Sequence, residues 1–200
     1  HVLEDVTLDI AQGELLVVLG ESGSGKSVLL KHLIGLLKPD AGSIMIDGED
    51  ITGQPEKVLL KTRRQIGYLF QEGALYDFMT VFDNIAFPLR EHTRMKESEI
   101  RQKVRDLLKI VDLKDVELKF PVELSGGMRK RVGLARAIIL DSKILLCDEP
   151  TSGLDPIRSR DISDLICRVS KEMHCTTVIT SHDMGNAFRI GDRLALLKGG

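Results

Sequence analysis

The stretch Leu15-Leu16-Val17-Val18-Leu19-Gly20-Glu21-Ser22-Gly23-Ser24-Gly25-Lys26-Ser27-Val28-Leu29-Leu30 decides the fold. Its first five residues are a continuous apolar run that stops at a glycine, the pattern of a strand buried on both faces. Its far end opens an amphipathic segment carrying Val28, Leu29, Leu30, Leu33 and Ile34, with Gly35 as the stop. Between them, Gly20 to Ser27 match the pattern G-x-x-x-x-G-K-[ST] in the strand-then-helix setting that the pattern needs. The glycines let the backbone curl until successive N–H groups face inward and cradle an anion. The helix that follows adds its free N–H groups and its positive dipole end. Gly20, Glu21, Ser22, Gly23, Ser24, Gly25, Lys26 and Ser27 are thus the candidate nucleotide-binding residues. Lys26 is placed for the β- and γ-phosphates, and the Ser27 hydroxyl for Mg²⁺.

Outward from this stretch, short buried strands alternate with helical patterns. Gly67–Phe70, Ile144–Cys147, Thr177–Thr180 and Leu194–Leu197 read as further strands, and Gly42–Gly48 as a half-exposed strand running into an Asp-Gly turn. Ile100, Val104, Leu107, Leu108 and Val111 recur at helical spacing. So do Ile162, Leu165, Ile166, Val169 and Met173, behind a Pro156 suited to a first helical turn. Strands separated by helices predict a parallel sheet with right-handed crossovers. Residues of about 72–135 carry helical patterns and no strong buried strand, which places a helical insertion there. The expected division is one unit over 1–200, with a core of 1–71 and 136–200.

The run Lys143-Ile144-Leu145-Leu146-Cys147-Asp148-Glu149-Pro150 is an apolar strand that ends in two carboxylates. In an open parallel sheet, ligands bind at the carboxyl ends of strands, so these acids should face the phosphate loop. Neighbours on a strand point to opposite sides, which predicts separate tasks. Asp148 would hold Mg²⁺, and Glu149 would orient and polarise an attacking water. A second candidate anion site lies at Ser125-Gly126-Gly127, where Ser125 fits a helix N-cap and the glycines admit close approach to the N–H groups.

The phosphate loop, Ser125-Gly126-Gly127, Asp148-Glu149, Ser152-Gly153-Leu154-Asp155 and Ser181-His182-Asp183 occur in the order seen in ATP-binding-cassette ATPases. Gln71 resembles the family's Q-loop glutamine. The chain resembles that family over nearly its whole length, which implies a RecA-like P-loop NTPase core, α/β in class, with a small antiparallel β part and a helical subdomain insertion. The resemblance also implies a head-to-tail homodimer, in which Ser125, Gly126 and Gly127 of one subunit cap the γ-phosphate on the other's phosphate loop. By the same likeness His182 contacts the γ-phosphate and holds Glu149, Asp155 reaches across the interface, and Gln71 touches Mg²⁺ and relays movement to the helical insertion.

A finer resemblance lies in Phe70-Gln71-Glu72-Gly73-Ala74-Leu75-Tyr76-Asp77-Phe78-Met79-Thr80-Val81-Phe82-Asp83-Asn84-Ile85-Ala86-Phe87-Pro88-Leu89-Arg90-Glu91 and in the Met128 that follows Gly127. This is similar to the Mla or Mce type of cassette ATPase, which energises lipid transport in bacteria. It implies integral membrane permease subunits docking near residues 72–91, with aromatics as anchors, and a peripheral position on the cytoplasmic face of the inner membrane. Another small-solute importer, or a non-transport cassette acting as a nucleotide-gated dimerisation module, are the alternatives. The family stacks adenine on an aromatic residue shortly before the strand expected near His1, so both ends are expected to be truncated.

Composition narrows the rest. The 28 basic and 30 acidic residues leave a net charge of −2, which speaks against a nucleic-acid partner. No apolar run approaches the length of a membrane span. Cys147, Cys167 and Cys175 form no C-x-x-C and point to reduced, idle thiols, and the scattered histidines make a zinc site unattractive.

Overall fold

The computed structural model describes residues 2–198. Five parallel strands form the main sheet: β1 (Leu15–Leu19), β4 (Ile66–Leu69), β5 (Ile144–Asp148), β6 (Thr176–Ser181) and β7 (Arg193–Leu196), in the order β4-β5-β6-β1-β7. The continuous apolar run of β1 is explained by its central place. Leu15, Val17 and Leu19 enter one hydrophobic cluster, while Leu16 and Val18 enter another on the opposite face. The second cluster packs against α1 (Lys26–Leu33), the helix that follows the phosphate loop. The first continues without a break through α3 (Val81–His92), α4 (Glu97–Ile110), α5 (Gly126–Ile138) and α6 (Pro156–Glu172).

The expected strands and the two expected long helices are present within one or two residues. The half-exposed strand at Gly42–Gly48 is a small antiparallel hairpin, β2 (Met45–Ile46) with β3 (Glu49–Asp50). Its turn places Asp47 at φ 50 and Gly48 at φ 80, the left-handed pair that a two-residue hairpin demands. Near the N-terminus the expected strand does not form among the described residues, and His1 lies outside them. Leu3, Leu8 and Ile10 instead lay apolar side chains on the α1-side cluster without a ladder partner. Two short helices had no clear sequence signal: α2 (Glu56–Arg63), whose exposed face is mostly charged, and α7 (Met184–Ile190), which is only two turns long.

Helix α5 runs close against β4. A Cβ on Gly67 would lie 2.4 Å from the Ala137 carbonyl oxygen, and one on Gly133 3.0 Å from Leu69 Cδ1. Any larger residue at Gly67 would drive helix and strand apart. Register then sets the site: Leu19 pairs with Ser181 and Asp148 with Thr180, so β1, β5 and β6 end at one edge.

Candidate nucleotide site

The phosphate loop hangs from the end of β1. Gly23 at φ 83 and Gly25 at φ 100 take the left-handed backbone that the curl requires. Lys26 folds back over the loop and donates to the carbonyl oxygens of Gly20 and Glu21, each at 2.9 Å. Its ammonium, only 4% exposed, also pairs with Glu149 Oε1 at 3.1 Å. Ser24 Oγ is buried in the loop with no hydrogen-bond partner among the described residues. A buried hydroxyl left unsatisfied costs free energy, and an anionic oxygen in the cradle supplies its missing acceptor.

Asp148 closes β5 at 8% exposure. Among the described residues no Lys, Arg or His forms an ion pair with it. Three hydroxyls hold it instead: Ser27 and Thr180 donate to Oδ1, each at 2.9 Å, and Tyr68 donates to Oδ2 at 3.3 Å. A buried carboxylate is stable when paired or coordinated to a metal, so this donor set fits a divalent cation. Ser27 spends its proton on Asp148 and keeps its lone pairs for the metal. A Mg²⁺ held there would draw its remaining ligands from water and substrate phosphates. Accordingly the site needs no cluster of three metal-binding side chains, and none occurs among the described residues. Burial, followed by the Asp148 charge, holds the Tyr68 phenol well above its ordinary pKa, so it remains a donor.

Strand alternation predicts that Asp148 and Glu149 point to opposite sides. The structure corrects that. Glu149 lies beyond the last residue of β5 with φ 42, a left-handed backbone that breaks the pleat. Both carboxylates therefore reach the phosphate loop, Asp148 at Ser27 and Glu149 at the adjacent Lys26. Their partners still differ. Glu149 Oε2 lies 3.1 Å from Nδ1 of the exposed His182, so Lys26, Glu149 and His182 form one chain of contacts.

The remaining predicted residues lie apart from that chain. Gln71, two residues past β4, donates from Nε2 to Ser152 Oγ at 3.1 Å rather than to Ser27 or Asp148. Its carbonyl accepts from the buried Lys130 at 2.7 Å, and burial lowers the pKa of that ammonium. Glu21 and Ser22 are exposed on the loop. Asp155 caps α6, accepting from the backbone N–H groups of Ile157 and Arg158 at 3.1 Å. The Arg158 N–H leads the causes that depress its pKa. Ser125 caps α5 by accepting from Met128 N at 3.3 Å. Beside it, a Cβ on Gly127 would meet nothing within 4 Å, and one on Gly126 only Leu154 Cδ2 at 3.6 Å.

In the segment of aromatics, burial is mixed. Phe82 is buried, whereas Tyr76 and Phe78 are exposed and tilted against each other, with ring centroids 5.8 Å apart. Asn84, fully buried, holds this loop by bonding the backbone of Tyr76 on both its N–H and its carbonyl. Thr180 and Tyr68 were not singled out by sequence. A threonine inside the apolar run Val178-Ile179-Thr180 is a weak sign, and only the register opposite Asp148 gives it meaning.

Sheet, loop and strand-end acids together define a phosphate-loop nucleotide-binding protein of the parallel-sheet class. Residues 3–152 match the family model described as ABC transporter, and the chain belongs to that family. It is 54% identical over 197 residues to the "Probable ribonucleotide transport ATP-binding protein mkl" of Mycobacterium leprae, covering 98% of this chain and 57% of that protein. It is 42% identical over 200 residues to the "Methionine import ATP-binding protein MetN 1" of Bacillus thuringiensis, covering all of this chain and 59% of that protein. The chain thus spans somewhat over half the length of these curated relatives. Among solved structures, it superposes with TM-score 0.91 on the ATP-binding cassette MJ0796, seen as a dimer bound to ADP and Pi. Identity there is 35%, with 100% of this chain and 87% of that one covered. The same TM-score relates it to cbiO1 of Clostridium perfringens, part of the complex cbiONQ, at 33% identity over 100% and 79% of the two chains.

Proposed function

We propose that the protein is the ATP-hydrolysing subunit of a membrane transporter and works as a head-to-tail homodimer. The observation that carries this reading is the contact chain Lys26–Glu149–His182 beside the Ser27–Asp148 pair. It supplies a phosphate cation, a base and the base's orienting partner at one strand edge. Triphosphate oxygens compete with Glu149 for Lys26. Once Lys26 turns to the β- and γ-phosphates, Glu149 Oε1 is free to accept a proton from an attacking water while His182 keeps Oε2 in place. Ser27 and Asp148 would hold Mg²⁺, which would supply charge neutralisation of the phosphates. The open Ser125-Gly126-Gly127 helix end, where among the described residues only Leu154 comes near, supports closure by a second copy, with Asp155 at the same interface.

Residues of about 72–135 act as the helical subdomain, and permease subunits dock near 72–91. The exposed Tyr76 and Phe78 support this, as does the Lys130 bond that ties Gln71 to α5. No helix among the described residues is long and apolar enough to cross a membrane, in keeping with a peripheral subunit on the cytoplasmic face of a bacterial inner membrane. The segment Phe70–Glu91 supports a lipid cargo of the Mla or Mce type. Purifying the full-length protein with its membrane partner and identifying the bound cargo by mass spectrometry tests this. Phospholipid is expected. A ribonucleotide, which the mkl name favours, or an amino acid overturns the lipid assignment and leaves the ATPase reading standing.

A further inference from the structure

Each acid at the end of β5 owes its position to a neighbouring strand. Thr180, fully buried at the end of β6, carries one hydroxyl proton and places it on Asp148 Oδ1 at 2.9 Å. Thr180 Oγ1 itself accepts the backbone N–H of Glu149 at 2.9 Å. The Cys147 carbonyl, at 3.4 Å, is the weaker candidate for that proton, since charged acceptors form the shorter and stronger bonds. A hydroxyl that donates to a carboxylate also becomes a better acceptor. Glu149 holds a left-handed φ of 42, a state that persists in a non-glycine residue only when its surroundings over-determine it. Thr180 supplies such a restraint. On the other side of β5, Tyr68 sits opposite Leu146 in the β4 register and reaches the second oxygen, Asp148 Oδ2.

We propose that Thr180 is a positioning residue that sets the two acids against each other through a single hydroxyl, and that Tyr68 completes the cage around Asp148. Thr180 has no exposed surface and cannot touch nucleotide, so it acts through Asp148 and Glu149. The proposal rests on the reading of Asp148 as the metal-holding acid and Glu149 as the base. It assigns different consequences to the two hydroxyls: Tyr68 serves the metal alone, whereas Thr180 serves the metal and the water.

The test uses the full-length protein with ADP and Mn²⁺ as a spectroscopic stand-in for Mg²⁺. Bound Mn²⁺ is read by electron paramagnetic resonance, beside ATP hydrolysis at rising metal concentration. Tyr68→Phe keeps the ring and should weaken Mn²⁺ by about 10-fold, the usual loss when an outer-shell partner of a metal ligand is removed. Its loss of activity should recover in excess metal. Thr180→Val keeps shape and strand preference, should weaken Mn²⁺ similarly, and should leave the maximal rate about 10- to 100-fold down even in excess metal, because Glu149 shifts. Thr180→Ser restores the hydroxyl and should rescue both readouts. Wild-type Mn²⁺ affinity together with a wild-type maximal rate in Thr180→Val overturns the proposal. If Thr180→Val does not fold, wild-type Mn²⁺ affinity in Tyr68→Phe refutes the cage, and failure of Thr180→Ser to match the wild type refutes the hydroxyl's role. Asp148→Asn separates the layers: unchanged Mn²⁺ affinity there sinks the metal assignment itself.

Discussion

Two helix N-termini of this chain carry the glycine patterns that we propose meet phosphate, and their surroundings are opposite. At the start of α1 the loop is closed on itself: Lys26 is bonded to two loop carbonyls and to Glu149, and Ser27 to Asp148. At the start of α5 only the Ser125 cap is satisfied, and the space beside Gly127 is empty. Glycine inside a helix costs up to about 1 kcal/mol relative to alanine. Gly127 has neither a left-handed φ nor a close neighbour to justify that cost within its own chain. Gly133, two turns further along the same helix, has both a Leu69 contact and a Gly73 contact to justify its own. The difference teaches that packing within the chain accounts for Gly133 but not for Gly127, which supports the proposed meeting of that helix end with a second copy.

The comparison can be broken most decisively at the closed end. Glu149→Gln removes the base but keeps the size and one acceptor, so steady phosphate release should fall on the order of 10²- to 10⁴-fold while ATP still binds. Rapid turnover by that variant would remove Glu149 from its assigned place. At the open end, Ser125→Arg should leave nucleotide binding by a single subunit within about twofold, yet lower hydrolysis by about 10²-fold, as expected when donors to a transferring phosphoryl group are lost. Titration calorimetry and a phosphate-release assay read the two effects separately. Normal hydrolysis by Ser125→Arg would mean that α5 faces no phosphate.

The glycines sharpen the contrast with smaller effects. Gly133→Ala should destabilise by about 1–3 kcal/mol, because its methyl meets Leu69 and Gly73. Gly127→Ala should instead stabilise by about 0.4–1 kcal/mol through the unfolded chain, and still depress hydrolysis. Chemical denaturation of both variants checks the opposite signs. Equal destabilisation would show that Gly127 is needed for folding after all.

Much of this site was legible from local chemistry. The phosphate loop, the acid pair and the Ser125 cap are short patterns whose residues are neighbours along the chain, so spacing alone identifies them. Gln71 was recognisable by resemblance, but its bonds to Ser152 and Lys130 were not, because those partners lie 81 and 59 residues away. The helices α2 and α7 escaped for a different reason: one is half charged and the other too short for a period to repeat.

By itself the sequence determined where the phosphate-loop pattern and the capped helix starts lie and that parallel strands would carry them, since apolar runs, glycine curls and helix starts are local properties. Tertiary structure alone decided how the two acids are shared out. The order β4-β5-β6-β1-β7 brings Tyr68 and Thr180 to either side of Asp148, and a left-handed turn at Glu149 swings the second acid to the same side as the first. Pleat alternation predicted the reverse for Glu149, because it assumes a strand that continues. The strand stops at Asp148, and from there on the backbone is set by what the neighbouring strands offer it to bond.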